Sequence, residues 1–261
     1  MKIWTLSGLV RGNASTKWGV KDGDDGQGGV LGMPRFEPAQ CASGCTDCAN
    51  VCPTGAISLG AESGIALDYG KCVTCQLCVE ACPTGALTPS QDWAFGVRQR
   101  EDLHWVANPP PAPTHKAPAG FKRSLHVRHI DAGSCNGCES ELQALANPFY
   151  NLHRLGVFFT ASPRFADVLL VTGPVTHAMR EPLLAAYEAM PEPRWVMAIG
   201  TCAVSGGVAG GGDYCANGLD GILPTDLYLP GCPPNPAAII EAFMVLLARK
   251  TQRVSGGHYA G

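Results

Sequence analysis

The residues that could carry chemistry in this chain of 261 residues are its 13 cysteines, most of which stand in short, regular spacings. Eight of them form two runs, Cys41-x3-Cys45-x2-Cys48-x3-Cys52-Pro53 and Cys72-x2-Cys75-x2-Cys78-x3-Cys82-Pro83. Three closely spaced thiolates on a tight loop can face three corners of a 4Fe-4S cube, whereas the cysteine before proline turns away and ligates the other cube. The spacing therefore predicts one cluster held by Cys41, Cys45, Cys48 and Cys82, and a second held by Cys52, Cys72, Cys75 and Cys78.

The two runs are copies of one unit. Residues 45–57 and 75–87 share three cysteines and the Pro-Thr-Gly-Ala that follows them. Zinc is the alternative occupant of such sites, but it prefers separated pairs of ligands around one tetrahedral ion. It does not explain two runs of four cysteines that each end in proline.

A further four cysteines, Cys135, Cys138, Cys202 and Cys232, each follow a short apolar run. These runs are predicted strands at 125–130, 195–199 and 227–229. Sites in parallel sheets lie beyond the carboxyl ends of the strands. The four thiolates should therefore converge on one edge of a sheet and hold a third 4Fe-4S cluster.

The elements that position this third group alternate between strand and helix. Additional strands are predicted at 157–159 and 168–172, with helices at 139–146 and 182–189 and a last helix that begins after Asn235 as N-cap with Pro236 in its first turn. Apolar strands separated by helices indicate a mostly parallel sheet covered on both faces. The glycines at 206, 207 and 210–212 form no dinucleotide fingerprint and are expected to make a flexible contact loop.

Composition bounds the rest. The chain is 46% hydrophobic with a formal net charge of −3 and a pI near 6.1, which excludes disorder as the global state and gives no basic surface for nucleic acid. No run of 18 apolar residues or secretory signal is present, so we expect no membrane span and a cytoplasmic location. Thiols stay reduced there, so the cysteines point to cluster ligation and not to disulfides.

The predicted organisation has five parts. Residues 1–40 form an N-terminal arm with a Gly-rich loop, 41–106 a two-cluster domain, and 107–120 a proline-rich linker that favours extended geometry. Residues 121–250 form the parallel-sheet domain with one cluster, and 251–261 a flexible tail.

Several residues are ambiguous. Glu141, and with less support Glu139, could couple proton movement to a cluster, although a glutamate in the first turn of a helix is also stabilising by itself. Cys215 is the one cysteine left over and is expected to be a small buried hydrophobe. His129, His153 and His177 have no ligand-spacing partner and are interpreted as surface or core residues.

Residues 41–106 resemble the two-cluster bacterial ferredoxin family, and specifically the ferredoxin-like subunits of respiratory complex I and membrane-bound hydrogenases. The extra residue between Cys41 and Cys45 departs from the usual spacing. Residues 121–250 resemble the small-subunit family of NiFe hydrogenases, whose relative in complex I carries the last cluster before quinone. The matching segments are Cys135-Asn136-Gly137-Cys138, Ser162-Pro163-Arg164, Gly200-Thr201-Cys202 and Pro230-Gly231-Cys232-Pro233-Pro234.

This resemblance implies an α/β fold in which a flavodoxin-like sheet domain follows a small α+β ferredoxin-like domain. It implies an electron-transferring small subunit of a membrane-associated NiFe hydrogenase of the formate hydrogenlyase type, with three 4Fe-4S clusters and the catalytic metal site in a partner. Expected partners are the NiFe large subunit, membrane-arm subunits and an upstream donor such as formate dehydrogenase, carbon monoxide dehydrogenase or a ferredoxin. Two alternatives stay open: a complex I-like quinone reductase subunit, and a non-enzymatic ferredoxin-type carrier. The donor, the direction of reaction and ion coupling are left open.

Overall fold

The computed structural model describes residues 30–60, 64–106, 124–250 and 252. Several predictions fall largely outside these residues, namely the arm and Gly-rich loop before residue 30, the linker 107–120, and the tail after residue 250 apart from Gln252. We call residues 30–106 the ferredoxin unit and residues 124–252 the sheet unit.

The ferredoxin unit contains two small antiparallel sheets and two short helices. In chain order its elements are β1 (Arg35–Phe36), α1 (Asp47–Val51), β2 (Ile57–Gly60), β3 (Gly64–Asp68), α2 (Leu77–Glu80), β4 (Leu87–Thr88) and β5 (His104–Val106). Strand β1 pairs with β4, and β3 lies between β2 and β5. The sequence repeat produces a structural repeat, because each copy places a short helix before its Cys-Pro turn and a strand after it.

The turn after each Cys-Pro pair needs a left-handed backbone conformation. Gly55 has φ of 61° and Gly85 has φ of 70°, and each donates its N–H to the carbonyl of the preceding cysteine, Cys52 or Cys82. Glycine adopts this conformation without the penalty that a Cβ brings. The repeated Pro-Thr-Gly-Ala segment thus encodes the same turn twice.

The sheet unit is a parallel α/β structure. Its elements are β6 (Leu125–Asp131), α3 (Gly137–Ala144), β7 (Val157–Phe159), β8 (Val168–Thr172), α4 (His177–Glu188), β9 (Trp195–Ile199), α5 (Thr201–Ser205), β10 (Leu227–Leu229) and α6 (Pro236–Leu246). The strand order is β10-β9-β8-β6-β7 and every pairing is parallel. This is the flavodoxin-like order, in which the direction of winding reverses between β6 and β8. The predicted fold class is confirmed.

The core of the sheet unit lies on both faces of the central strands. All five residues of β8 are buried, and the first four alternate between two apolar clusters. Val168 and Leu170 pack with residues of α3 and α6, whereas Leu169 and Val171 pack with residues of α4 and α5. A fully apolar strand is expected where a sheet is covered on both sides.

The sequence predicts the start of α6 correctly and places the start of α4 too late. Asn235 caps α6 as predicted, since its side-chain oxygen accepts a hydrogen bond from the N–H of Ala238 at 2.8 Å. Helix α4 begins at His177, five residues before the predicted start at 182. Pro182 indicates a first helical turn by its fixed φ, yet it lies inside the helix, where it removes one backbone hydrogen bond.

The segment after the last ferredoxin cysteine joins the two units. Trp93 and Ala94 belong to the apolar cluster that contains α6, whereas Phe95 and Val97 belong to the cluster on the other face of the sheet. Val97 exchanges two backbone hydrogen bonds with Tyr228 of β10, at 2.9 and 2.7 Å. The outer edge of β10, which pairs with no other strand of the parallel sheet, is therefore covered by the ferredoxin unit.

Candidate functional site

We call the group that the ferredoxin unit forms around Cys41 the first site. Cys41, Cys45, Cys48 and Cys82 line one cavity together with Ile65 and Leu87. Cys48 lies in α1 and is buried. Cys82 reaches the same cavity from the other repeat. Burial and the charges of Cys45 and Cys82 raise the pKa of the Cys41 thiol.

The second site is the equivalent cavity of the other repeat. Cys52, Cys72, Cys75 and Cys78 line one cavity, which Ile57, Leu67 and Tyr69 also line. Burial, with the charges of neighbouring thiols, raises the pKa of Cys72 to about 12 and that of Cys78 to about 11. Backbone N–H groups face two of the sulfurs, from Ala56 to Cys52 at 3.2 Å and from Thr74 to Cys72 at 3.4 Å.

The two ferredoxin sites adjoin each other. Helices α1 and α2 pack together, and Cys48 of the first site is near enough to Cys78 of the second to raise its pKa. Each site contains three cysteines from one repeat and one from the other. Because each repeat contributes one cysteine to the site of the other repeat, the two sites link the repeats to each other.

The third site lies at the carboxyl edge of the parallel sheet. The turn after β6 is held by Asp131, whose side chain accepts hydrogen bonds from the N–H groups of Gly133 and Ser134 at 2.8 and 2.7 Å. Asn136 then takes a left-handed conformation with φ of 66°, and α3 begins. This turn presents Cys135, which is exposed, and Cys138, which is half-buried in the first turn of α3.

The other two cysteines of this site come from β9 and β10. Cys202 lies in the first turn of α5, and Cys232 lies between Gly231 and Pro233 just after β10. The two loops are bonded to each other, because Thr201 donates its backbone N–H to the carbonyl of Gly231 at 2.9 Å. The carboxyl ends of three strands thus bring four cysteines to one rim.

The four thiols of the third site are mutual neighbours. Burial raises the pKa of Cys138 far above its ordinary value, and Glu139 and the thiols of Cys135, Cys202 and Cys232 raise it further. Burial and the charges of Cys232 and Cys135 raise the pKa of Cys202 to about 11. Such a group cannot ionise together in bare form, and a cationic iron core would supply the missing positive charge.

Glycines keep space open around these sulfurs. A Cβ on Gly200, which has φ of 89°, would lie 2.5 Å from the Cys138 sulfur. A Cβ on Gly207 would lie 2.9 Å from the Cys202 sulfur. The donor set, and the lack of a Cβ at these two positions beside the sulfurs, fit a bulky iron–sulfur group.

A polar network beside the third site was missed by the sequence reasoning. Glu139 accepts hydrogen bonds from Ser134 at 2.6 Å and from the hydroxyl of Thr172, and it lies 3.5 Å from Nε2 of His129. His129 Nε2 is also 2.9 Å from the hydroxyl of Thr172, and His129 lines a cavity of about 330 Å³ beside α3. Neither spacing nor composition could find this network, since its members come from three separate elements.

The remaining ambiguous residues have definite places. Glu141 is half-buried, and burial raises its pKa. Cys215 is 8% exposed and donates its thiol to the carbonyl of Ala209 at 2.7 Å. His153 stacks on Phe158, with ring centroids 5.4 Å apart. The glycine loop packs closely on itself, because a Cβ on Gly206 would meet the Cα of Gly210 at 2.5 Å.

A site for a single metal ion and a membrane-spanning helix are both absent from the described residues. In the ranges given above, no group of three or more His, Cys, Asp or Glu side chains surrounds the position of a single metal ion. Among the helices of the same ranges, none is long and apolar enough to cross a membrane.

Comparison with known sequences assigns both units. Residues 135–246 match the family described as the 20 Kd subunit of NADH ubiquinone oxidoreductase, and residues 40–86 match the 4Fe-4S dicluster domain. The first match contains all four cysteines of the third site, and the second contains all eight of the ferredoxin unit.

Three relatives are similar to this chain. Formate hydrogenlyase subunit 7 of Escherichia coli K12 is 44% identical over 135 residues, which are 51% of this chain and 52% of that protein. An uncharacterized protein of Methanocaldococcus jannaschii is 46% identical over 123 residues, 47% of this chain and 82% of that protein. The Pyrococcus furiosus protein named "Probable membrane-bound hydrogenase subunit mbhJ" is 42% identical over 134 residues, 51% of this chain and 80% of that protein.

These matches define the class of protein as an oxidoreductase subunit with iron–sulfur domains. The chain belongs to the NADH ubiquinone oxidoreductase 20 Kd subunit family and carries a 4Fe-4S dicluster domain. It is an electron-transfer subunit of the complex I-like and membrane-bound hydrogenase type. The chain spans about half the length of the E. coli relative.

Proposed function

We propose that this chain relays electrons through three 4Fe-4S clusters between an upstream donor and the NiFe site of a hydrogenase large subunit. The observation that carries the proposal is the gathering of twelve cysteines into three groups of four, two in the ferredoxin unit and one at the sheet rim. The ligands would be Cys41, Cys45, Cys48 and Cys82 in the first site, Cys52, Cys72, Cys75 and Cys78 in the second, and Cys135, Cys138, Cys202 and Cys232 in the third.

When bound, the clusters would supply one-electron redox chemistry, and hydrogen turnover would occur in the partner. The chain's own residues would set the cluster potentials. N–H groups that face sulfur, such as Ala56 toward Cys52 and Thr74 toward Cys72, stabilise the more negative reduced state. Glu141, half-buried one turn after Cys138, would couple proton movement to the third cluster.

The location of the third site supports a partner at the sheet rim. Cys135 and Cys232 are exposed, as is Pro233, so the large subunit could approach the third cluster directly. The relatives named as subunits of formate hydrogenlyase and of a membrane-bound hydrogenase support a peripheral position at the cytoplasmic face of the membrane, with membrane-arm subunits as further partners. The domain boundaries 41–106 and 121–250, with the linker 107–120 between them, belong to the same proposal.

Iron counting tests the three-cluster assignment. The chain reconstituted with iron and sulfide should hold about 12 irons, and EPR should resolve three cubanes. Replacing Cys202 with alanine should reduce the content to about eight irons, whereas Cys215→Ala, a change to a buried thiol in the same region, should leave about 12. About eight irons in the unmodified chain would contradict the third site.

A quinone reductase subunit is the second candidate, because the matched family is a subunit of NADH ubiquinone oxidoreductase. The two candidates differ in the large subunit. Purification of the native complex and identification of its subunits separates them: a partner with paired cysteine motifs able to hold nickel supports the hydrogenase. A partner without such motifs, in a complex that reduces quinone, would replace the first candidate with the second.

A further inference from the structure

Thr201 is a buried residue at the contact between the ferredoxin unit and the sheet unit. It is 1% exposed, it directly precedes Cys202, and it begins helix α5. The turn formed by Tyr69–Lys71, which leads into Cys72, packs against this helix. Thr201 therefore lies where the second and third sites come together.

The side-chain hydroxyl of Thr201 makes two hydrogen bonds. It donates to the backbone carbonyl of Cys72 at 2.8 Å and accepts from the backbone N–H of Gly231 at 3.0 Å. A threonine hydroxyl offers one proton to donate, and that proton is directed at the ferredoxin unit. One oxygen atom thus touches the chain at a second-site cysteine and beside the third-site residue Cys232.

Thr201 also holds the two halves of the third site together. Its backbone N–H donates to the carbonyl of Gly231 while its hydroxyl accepts from the N–H of the same residue. The loops that carry Cys202 and Cys232 are therefore locked to each other at the point where both meet Cys72. In the described part of the chain, no hydrogen bond of this kind joins a cysteine of the first site to the sheet unit.

We propose that Thr201 is the positioning residue for electron passage between the second site and the third. This inference rests on the proposed function, because it requires clusters in both sites. One electron would leave the reduced group at Cys72 and arrive at the oxidised group beside Cys202, with no bond or proton exchanged. The hydroxyl fixes the separation of the two groups and supplies a hydrogen-bonded path between their ligands.

The role depends on the hydroxyl and not on the bulk of the side chain. Valine has nearly the shape of threonine but would leave the Cys72 carbonyl and the Gly231 N–H without their partner in a buried place. Serine keeps the oxygen and loses only a methyl group. Ser205 is a matched control, because its hydroxyl bonds only within α5, to the Thr201 carbonyl at 3.1 Å.

The test compares Thr201→Val, Thr201→Ser and Ser205→Ala in the full reconstituted chain. After partial reduction, EPR should detect magnetic interaction between the second and third clusters, and freeze-quench sampling should follow arrival of electrons at the third. We expect Thr201→Val to weaken the interaction and to slow arrival about tenfold, which corresponds to ~1.4 kcal/mol of activation free energy. Thr201→Ser and Ser205→Ala should stay within about twofold of the unmodified chain.

A second readout does not depend on the clusters. In hydrogen exchange of the chain without added iron, the Gly231 amide should exchange faster in Thr201→Val than in Thr201→Ser. An unmodified chain with about eight irons would end the proposed function, whereas about 12 irons in every variant with an unchanged interaction would end only the role of Thr201. Loss of the third cluster in Thr201→Val would also overturn that role, because it would make the residue part of cluster assembly.

Discussion

The cysteines of the ferredoxin unit and those of the third site are distributed in opposite ways. Eight cysteines of the ferredoxin unit lie within 42 residues (positions 41 to 82), whereas the four of the third site span 98 residues (positions 135 to 232). In the ferredoxin unit two of the proposed ligands are part of the core, since Cys48 and Cys78 are 7% and 8% exposed. In the sheet unit the core consists of apolar strands and helices, and Cys135 and Cys232 are exposed on its rim.

The difference teaches where the free energy of each site comes from. Short helices and strands of two to five residues cannot bury enough apolar surface to be stable alone, so we expect the ferredoxin unit to draw stability from the clusters proposed for it. The five-stranded sheet is covered on both faces and can bring its four cysteines together before any iron arrives. We therefore expect the ferredoxin unit to depend on its clusters for folding. The sheet unit folds through its apolar core and holds its four cysteines at the rim.

The largest expected effect comes from removing iron. We expect chelation under reducing conditions to lower the exchange protection of β2 and β3 about a hundredfold or more, because metal binding and folding are coupled in small metal domains. Strands β8 and β9 should keep most of their protection. Hydrogen exchange with mass spectrometry on the loaded and chelated chain measures both at once, and equal loss in the two units would remove the distinction.

A change at Gly200 should have the opposite selectivity: it should affect the third site and leave the two ferredoxin sites intact. In Gly200→Ala the new Cβ would lie 2.5 Å from the Cys138 sulfur, so that sulfur must move. The iron content should fall from about 12 to about eight per chain, with both ferredoxin clusters retained.

The matched control for this change is Gly221→Ala. Gly221 also has a positive φ, of 70°, so alanine brings a backbone penalty of about 1–2 kcal/mol there, but no atom lies within 4 Å of its Cβ position. Its iron content should stay near that of the unmodified chain. Equal iron loss in both variants would show that backbone strain and not crowding at sulfur is responsible.

The smallest expected effect concerns the turn before Cys135. Burial opposes ionisation of Asp131, but hydrogen bonds from the N–H groups of Ser134 and Gly133 outweigh it and lower its pKa. Its contribution to stability is therefore present above the unfolded-state pKa and is lost as the pH falls through the lower folded-state value.

Asp131→Asn should accordingly destabilise the sheet unit by about 1 kcal/mol near pH 7, a value kept small because solvent screens this partly exposed group. The difference from the unmodified chain should vanish in acid, below the pKa of Asp131. Denaturant unfolding of the iron-free chain across pH measures this, with β8 exchange as the reporter. A difference that persists in acid would mean that the hydrogen bonds do not depend on the carboxylate charge.

The sequence alone predicted the features that depend on neighbours along the chain. The spacing of the ferredoxin cysteines, the repeated Cys-Pro-Thr-Gly-Ala turn and the Asn235 cap are local, so residue type and order determine them. The parallel sheet was also predictable, because buried strands such as Val168–Thr172 have an apolar composition that few other structures accept. The early start of α4 was missed, since Pro182 resembles a helix start and its tertiary packing overrides that preference.

Only the tertiary structure decided how the parts meet. That Val97 pairs with Tyr228, that Thr201 bonds to Cys72, and that Glu139 lies between Ser134, Thr172 and His129 depends on residues distant in sequence. Such contacts are specified by the packing of whole faces, in which the two units share both apolar clusters, and no single spacing encodes them. Sequence determined which atoms can bind iron, and the packing of the two units decided which site lies beside which.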